Sequence, residues 1–383
     1  MVKVANLVFN EFTNDSRVEK ISKSLINNGY YVEVIAHLDR GLKDYEDIDG
    51  YKIRRFSYLD RKITKGIVGK SIAYVKYLFK SINYVKDFDI LHCNDLNTMP
   101  IAYIIKTFFN KNIKVVYDAH EYETETIALR GLRKKVAKVA EKFLIKYANE
   151  VIAVSDAIAN EYVRLYGIKK PYLILNAPKF TQISKHNLFR KNLNISDEKT
   201  IFLYQGRLST GRGVEILLEA FEYINKNDID KTSVIVFMGY GDLEDKIKDY
   251  ANRYNNIFFH EAVKPDILLS YTSSADFGIS TIEDRCLSYR YCLPNKMFEY
   301  IMAELLVIVS DLPEMKKLVQ KYDIGVAAKS NTVEGLVSAI KEASTIDKDS
   351  KIENIKTAKD ILNWEQQEKL LIELYQSLGV NNG

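Results

Sequence analysis

The amino-acid sequence predicts an α/β protein of two doubly wound, Rossmann-like domains that face each other across a cleft. Short apolar, β-branched runs alternate with stretches of helical length or period along the chain. The alternation pauses once, in a polar stretch near residues 178–198. At 383 residues the chain is also longer than one ordinary core requires.

Strands are expected at 2–9, 32–36, 90–92, 115–117, 151–154 and 173–175 in the first half. In the second half they are expected at 201–204, 234–238, 257–259, 277–280 and 307–309. Strand, helix, strand repetition implies parallel sheets with helices on both faces, because a parallel neighbour is reached only through a crossover. The polar stretch reads as a linker between a first domain over 1–180 and a second over 195–363. Residues 364–378 then place Leu370, Leu371, Leu374 and Leu378 at helical spacing, and a helix over 364–380 is expected to pack back on the first domain. Open α/β sheets bind ligands at the carboxyl ends of their strands, which is where the motifs below fall.

Composition narrows the class. Hydrophobic residues at 47% and charged residues at 28% describe a globular chain, neither disordered nor fibrous. Cys93, Cys286 and Cys292 form no Cys-x-x-Cys pair and no zinc-ligand spacing, and no apolar signal segment opens the sequence, so a reducing, cytoplasmic setting is expected. No apolar run approaches the roughly 20 residues that a membrane-crossing helix needs. The formal charge of +4 hides an asymmetry. Residues 1–180 carry 30 Lys and Arg against 21 Asp and Glu, a net +9, while the remainder carries 25 against 30, a net −5.

Three motifs of the second half point to an anionic ligand. Gly206-Arg-Leu-Ser-Thr-Gly-Arg-Gly213 follows a strand directly. Its glycines permit a tight turn, and Arg207 and Arg212 are suited to clamp a diphosphate with charge-assisted hydrogen bonds. The alternative is a pair of surface cations ahead of a helix. In Leu293-Pro-Asn-Lys-Met-Phe-Glu-Tyr300, Pro294 marks a helix start, so the amides of Asn295, Lys296 and Met297 are expected to point outward at an anion. Glu299, one turn further in, suits a vicinal diol such as a ribose; from spacing alone, compensation of the helix dipole is the stronger reading. Met238-Gly-Tyr-Gly-Asp242 adds Gly239 and Gly241, a tight turn that on its own is weak evidence for a ligand.

In the first half, Tyr117-Asp-Ala-His-Glu121 puts His120 and Glu121 at a strand end, while His37, His92 and His260 also follow strands and compete with it. Asn14-Asp-Ser-Arg-Val18 lies between the first strand and an amphipathic helix. Its Asp15 and Arg17 are acceptor-binding candidates, with Asp15 or Ser16 as a plain helix N-cap the competing reading.

Together these residues resemble the retaining glycosyltransferases of family 4, whose GT-B fold sets two Rossmann-like domains face to face. The resemblance spans nearly the whole chain. It includes Asn28-Gly-Tyr-Tyr-Val-Glu-Val34, His92-Cys-Asn-Asp-Leu96, Val154-Ser-Asp156, Asn176-Ala-Pro178 and Ser310-Asp-Leu-Pro-Glu314 besides the motifs above. It implies that Arg207 and Arg212 contact the donor diphosphate, that Glu299 binds the ribose, and that Gly206, Gly239, Gly241, Tyr291, Pro294, Asn295, Lys296 and Met297 line the donor site. It also implies that His120 lies near the transferred sugar and that Asp15, Arg17 and Glu121 meet the acceptor. No metal, cofactor or enzyme nucleophile is implied, since fixed cations and helix amides would stabilise the leaving diphosphate. Three positions depart from the pattern: Tyr291 stands where a second glutamate is usual, Arg212 replaces a lysine, and Ala303-Glu-Leu-Leu306 replaces a small-Gly-x-Pro phrase.

The acceptor is expected on the basic half. Residues 132–147 have apolar positions at Leu132, Val136, Val139, Ala140, Phe143, Leu144 and Tyr147, with Arg130, Arg133, Lys134, Lys135, Lys138, Lys142 and Lys146 on the other face. Either the helix packs its apolar face in the core and solvates the basic one, or the basic face, with Arg61, Lys62, Lys65 and Lys70, meets an anionic membrane. No nucleic-acid motif is present. The leading function is therefore transfer of a sugar from a nucleotide diphosphate sugar to a glycan, often lipid-linked. The alternatives are a catalytically silent GT-B subunit and a sugar-nucleotide epimerase.

Overall fold

The structure, a computed structural model, describes residues 1–39, 41–57 and 66–380. Arg61, Lys62 and Lys65 lie outside the described residues, as does the side chain of Lys70. The chain forms two compact units, residues 1–174 with 367–383 and residues 175–366.

The first unit runs β1 (Lys3–Leu7), α1 (Ser16–Asn27), β2 (Tyr31–Leu38), β3 (Tyr45–Ile48), β4 (Tyr51–Ser57), α2 (Gly66–Val85), β5 (Ile90–Asn94), α3 (Met99–Phe108), β6 (Lys114–Ala119), α4 (Gly131–Leu144), β7 (Glu150–Ala153), α5 (Asp156–Tyr166) and β8 (Tyr172–Leu173). Its strands lie in the order β3-β4-β2-β1-β5-β6-β7-β8. All neighbours are parallel except β3 and β4. That hairpin is not among the expected strands, although Asp49-Gly50 is a turn signature: φ of +49° and +88° put both residues in the left-handed region that a two-residue hairpin requires.

The second unit runs α6 (Leu188–Leu193), β9 (Thr200–Arg207), α7 (Val214–Lys226), β10 (Ser233–Tyr240), α8 (Glu244–Arg253), β11 (Ile257–Glu261), α9 (Pro265–Thr272), β12 (Phe277–Ser280), α10 (Leu287–Arg290), α11 (Asn295–Met302), β13 (Leu306–Val309), α12 (Pro313–Tyr322), β14 (Gly325–Ala327), α13 (Val333–Ser344) and α14 (Ile352–Ile361). Its order is β11-β10-β9-β12-β13-β14, parallel throughout. Both sheets are buried on both faces, so their central strands are continuous apolar runs: Ile201, Phe202, Leu203 and Tyr204 of β9 are each fully buried. Each such side chain contributes about 1.5–3 kcal/mol of transfer free energy.

Strand order reverses between β1 and β5 in one sheet and between β9 and β12 in the other, which opens a crevice at the carboxyl ends of those strands. The loops after β1, β5, β6 and β9 carry the residues singled out by sequence.

Residues 178–198 are not a linker. They belong to the second unit, which starts at Leu175, and they are tied down throughout. Pro178 O accepts from Trp364 N at 2.8 Å, Leu188 N donates to Ser274 Oγ at 3.1 Å, and Phe189 is buried against Tyr271 and His260. The stretch is polar because it runs over the surface of a domain, and polarity alone does not separate that from a linker. The last helix, α15 (Trp364–Ser377), counts with the first unit from Gln367 onward. There Leu371, Leu374, Tyr375 and Leu378 are buried, while Leu370 faces outward.

Candidate active site

Each unit gathers one polar cluster at its crevice. In the second unit the loop after β9 is set by backbone contact. Gly213 has φ +76°, and a Cβ there would stand 2.3 Å from Thr281 Oγ1. Only glycine fits. Gly239 and Gly241 serve the same loop, since a Cβ on them would lie 1.8 Å from Gly206 O and 2.2 Å from Leu208 O. The Gly-Tyr-Gly turn is thus explained by close packing of two backbone segments. The Tyr204 hydroxyl, 3.2 Å from the carbonyl oxygens of both Arg207 and Arg212, ties the two ends of the arginine loop together.

The side chains converge on α11. Lys296 lies in its first turn, with Cε 4.0 Å from the Cβ position of Gly206. Lys296 Nζ sits 3.4 Å over the centre of the Tyr204 ring, is itself buried, and has no hydrogen-bond partner among the described residues. Burial and the nearby Arg212 push the ammonium pKa down to about 7, with Glu299 pulling the other way. Arg212 is held over Tyr289, guanidinium carbon 5.4 Å from the ring centre. Glu299 Oε2 accepts from Gln205 Nε2 at 2.5 Å, and Gln205 Oε1 in turn accepts from Thr272 Oγ1 at 2.8 Å. Gln205 N also donates to Tyr300 Oη at 3.0 Å. Gln205 therefore orients the glutamate, a role the sequence reading does not contain.

Not every donor-site candidate takes the expected part. Pro294 is the N-cap of α11 and Asn295 is exposed. The Met297 amide, expected to be free for an anion, is taken by Pro294 O at 3.0 Å, and its side chain is wholly buried. A proline-capped helix tightens its first turn, which leaves the amides of Asn295 and Lys296 for a ligand. Tyr291 caps the short helix α10 through a bond from its own amide to Leu287 O at 3.0 Å. Arg207 ends β9 and is exposed.

In the first unit His120 follows β6. Its Nε2 lies 2.9 Å from Asn94 Oδ1 and 3.5 Å from Asp118 Oδ2, and its Nδ1 lies 3.6 Å from Asp95 Oδ1. Burial would lower the imidazolium pKa, but Asp95 and Asp118 outweigh burial and raise it to about 9. His120 is therefore a cation and a hydrogen-bond donor at neutral pH. Asp118 is fully buried; burial alone would raise its pKa, but Arg17, His120 and His92 hold it well below the usual carboxylate range. His92, lowered by burial, is neutral. With Nδ1 facing the Tyr375 hydroxyl at 2.8 Å, it carries its proton on Nε2, 3.4 Å from Asp118.

Arg17 is not placed to touch an acceptor. It is 3% exposed, its Nε and Nη2 donate to both oxygens of Asp118 at 2.9 and 2.8 Å, and its Nη1 donates to Ile174 O at 3.1 Å. Such a bidentate buried pair positions Asp118, and through it His120. Asp15 is the N-cap of α1: Oδ1 accepts from Val18 N at 3.2 Å and Oδ2 from Asn10 Nδ2 at 3.0 Å. Glu121 is exposed beside His120. Among the described residues, no group of three or more His, Cys, Asp or Glu side chains is placed to hold a metal ion. None of the described helices is long and apolar enough to cross a membrane.

Comparison with known proteins agrees with this architecture. Residues 16–177 match the model described as Glycosyltransferase Family 4, and residues 185–359 match Glycosyl transferases group 1. An uncharacterized glycosyltransferase of Methanocaldococcus jannaschii is 25% identical over 69% of this chain and 71% of its own length. A second from that organism is 22% identical over 95% and 94%. Among solved structures, sucrose-phosphate synthase from Thermosynechococcus elongatus superposes with a TM-score of 0.79 at 18% identity, covering 99% of both chains. HepE of Anabaena, solved in complex with UDP and glucose, has a TM-score of 0.74 at 16% identity and covers 98% of this chain and 100% of its own. The two family models between them span most of both units, and the chain belongs to the family 4, group 1 glycosyltransferases.

Proposed function

We propose that the protein is a retaining transferase that moves a sugar from a nucleotide diphosphate sugar to a glycan acceptor. The acceptor is proposed to be lipid-linked and to belong to cell-surface polysaccharide assembly. The observation that carries the reading is the juxtaposition of Arg212, an unpartnered buried Lys296 and a Gln205-oriented Glu299 at the start of one helix. Cations and helix amides suit a diphosphate, and a carboxylate one turn on suits a ribose diol. The relatives solved with UDP and with UDP-glucose make a uridine nucleotide the first donor to test.

In this mechanism Arg207, Arg212, Lys296 and the amides of Asn295 and Lys296 hold the diphosphate, and Glu299 holds the ribose. The bond from the sugar anomeric carbon to the phosphate oxygen breaks while the acceptor oxygen bonds to the same face. The acceptor proton passes to the leaving phosphate oxygen, and the cations stabilise the charge developing there. Protonated His120 donates a hydrogen bond to the transferred sugar. No enzyme nucleophile, metal or nucleic acid takes part. The first unit would receive the acceptor, the second would bind the donor, and the enzyme would work in the cytoplasm, peripherally on the inner face of an anionic membrane. The net charge of +9 on residues 1–180 supports that placement.

UDP is expected to raise the melting temperature of the purified protein, with GDP, ADP, dTDP and CMP as comparisons; saturation at about 100 times Kd is worth roughly 2.7 kcal/mol. Glu299→Ala is expected to abolish transfer and leave the fold intact. Full transfer activity in that variant would overturn the reading. Tyr291, in place of a glutamate, favours the alternative of a catalytically silent subunit supporting an active partner. Turnover by the purified chain alone would remove that alternative.

A further inference from the structure

Helix α4 is turned over relative to its expected orientation. Leu132, Val136, Val139 and Phe143 are exposed, Leu132 at 76% and Val139 at 70%. Of the expected apolar face only Leu144 is buried, and the side turned to the protein is held mainly by polar groups. Glu141 is fully buried and accepts from the hydroxyls of Tyr117 and Tyr162 at 2.8 Å each and from Tyr166. Lys134 and Lys138 both pair with Glu125 at 2.5 Å. The remaining cations, Arg133, Lys135, Lys142 and Lys146, therefore share the outward side with the apolar stripe.

The pattern repeats next door. Helix α2 lies beside α3, and α3 beside α4. On α2 the outward residues are Ile72, Val75 and Phe79 with Lys76 and Lys80, and at the end of α3 they are Phe108 and Phe109. Neither α2 nor α3 contains an acidic residue, and the one acid of α4 is the buried Glu141. In the second unit, by contrast, exposed large apolar side chains such as Tyr223, Tyr240 and Ile267 are scattered.

We infer that α2, α3 and α4 form a docking surface for an anionic lipid bilayer, with the apolar side chains inserted at the headgroup boundary and the flanking lysines on the lipid phosphates. Apolar stripes rimmed by cations and free of acids are the signature of helices that lie in a membrane interface. A second copy of this chain is a poor occupant, because it would bring two acid-free, cationic rims together with nothing to pair them. The inference rests on the lipid-linked acceptor reading for its purpose and adds to it a specific face and an apolar component.

The test is flotation of the full chain with phosphatidylcholine vesicles, with and without phosphatidylglycerol. Binding is expected to require phosphatidylglycerol and to survive in part at raised salt. A Val136→Glu/Val139→Glu variant is expected to lose about tenfold in vesicle affinity, and Lys135→Glu/Lys142→Glu a similar factor at low salt. UDP stabilisation, read on the same samples, should be unchanged in both variants, which separates failure of this surface from failure of the donor site. The inference is overturned if the wild-type chain stays unbound, if binding vanishes with salt and ignores Val136→Glu/Val139→Glu, or if a stable dimer covers the face.

Discussion

The polar clusters of the two units are built on opposite principles. In the first, Arg17, Asp118, His92, His120 and Asn94 satisfy one another: two hydrogen bonds join Arg17 to Asp118, and every ring nitrogen of the two histidines faces a polar partner. In the second, Lys296 is buried over an aromatic ring with no hydrogen-bond partner among the described residues, and Arg212 stands near it. A closed network holds its own geometry. An open one, with Arg212 charged and Lys296 only partly protonated near neutral pH, is incomplete until an anion arrives.

Substitution should separate the two most sharply at their cations. Arg17→Met strips buried Asp118 of its two short charge-assisted hydrogen bonds and leaves it only the longer contacts to His120 and His92, so a loss of about 3 kcal/mol in unfolding free energy is expected from denaturant titration. Lys296→Met removes a group that the free protein does not satisfy, so stability should hold or rise while UDP-induced stabilisation falls. If Lys296→Met destabilised as much as Arg17→Met, the contrast would be broken.

A smaller effect is expected at Glu304, the position where a glycine is usual. It adopts φ +60°, a conformation that costs a non-glycine residue about 1–2 kcal/mol, and its carboxylate pairs with the buried Lys359 at 2.6 Å. Glu304→Gly relieves the backbone but strands a buried ammonium, so a net loss of about 1–3 kcal/mol is expected. Glu304→Gly/Lys359→Met should recover most of it, and additivity of the two substitutions in a double-mutant cycle would show that the pair does not interact.

The gentlest probe is pH. His120 titrates at about 9 in the folded protein and near 6.5 unfolded, so its contribution to stability is fully present below pH 6.5 and is lost as pH rises through 9. On the order of 2 kcal/mol of pH-dependent stability should disappear across that window in the wild type. His120→Gln should flatten the curve, and an unchanged slope in this variant would assign it to another group.

Much of this was legible in the residues themselves. The strands of both sheets are short apolar runs, and a parallel sheet buried on both faces demands such runs, so their places follow from composition. The phrases around Gly206, His120 and Glu299 were legible because a turn needing glycine, a strand end and a helix start each leave a local mark. The part of Arg17 is not legible because its partner is 101 positions away, and in sequence a buried cation is indistinguishable from an exposed one. Gln205 is silent for the same reason, since a glutamine near the end of an apolar strand carries no mark of the Glu299 it orients.

The sequence by itself determined the alternation of strands and helices, the glycine turns and the excess of cations in the first half, because these depend on local backbone preference and on counting charge. Tertiary structure alone decided which cation is neutralised, which glutamate is held and which face of α4 meets solvent. Period sorts the residues of a helix into faces, but the neighbours decide which face is buried. Here three tyrosines reaching for Glu141 turned the polar side inward and left Val136 and Val139 outside.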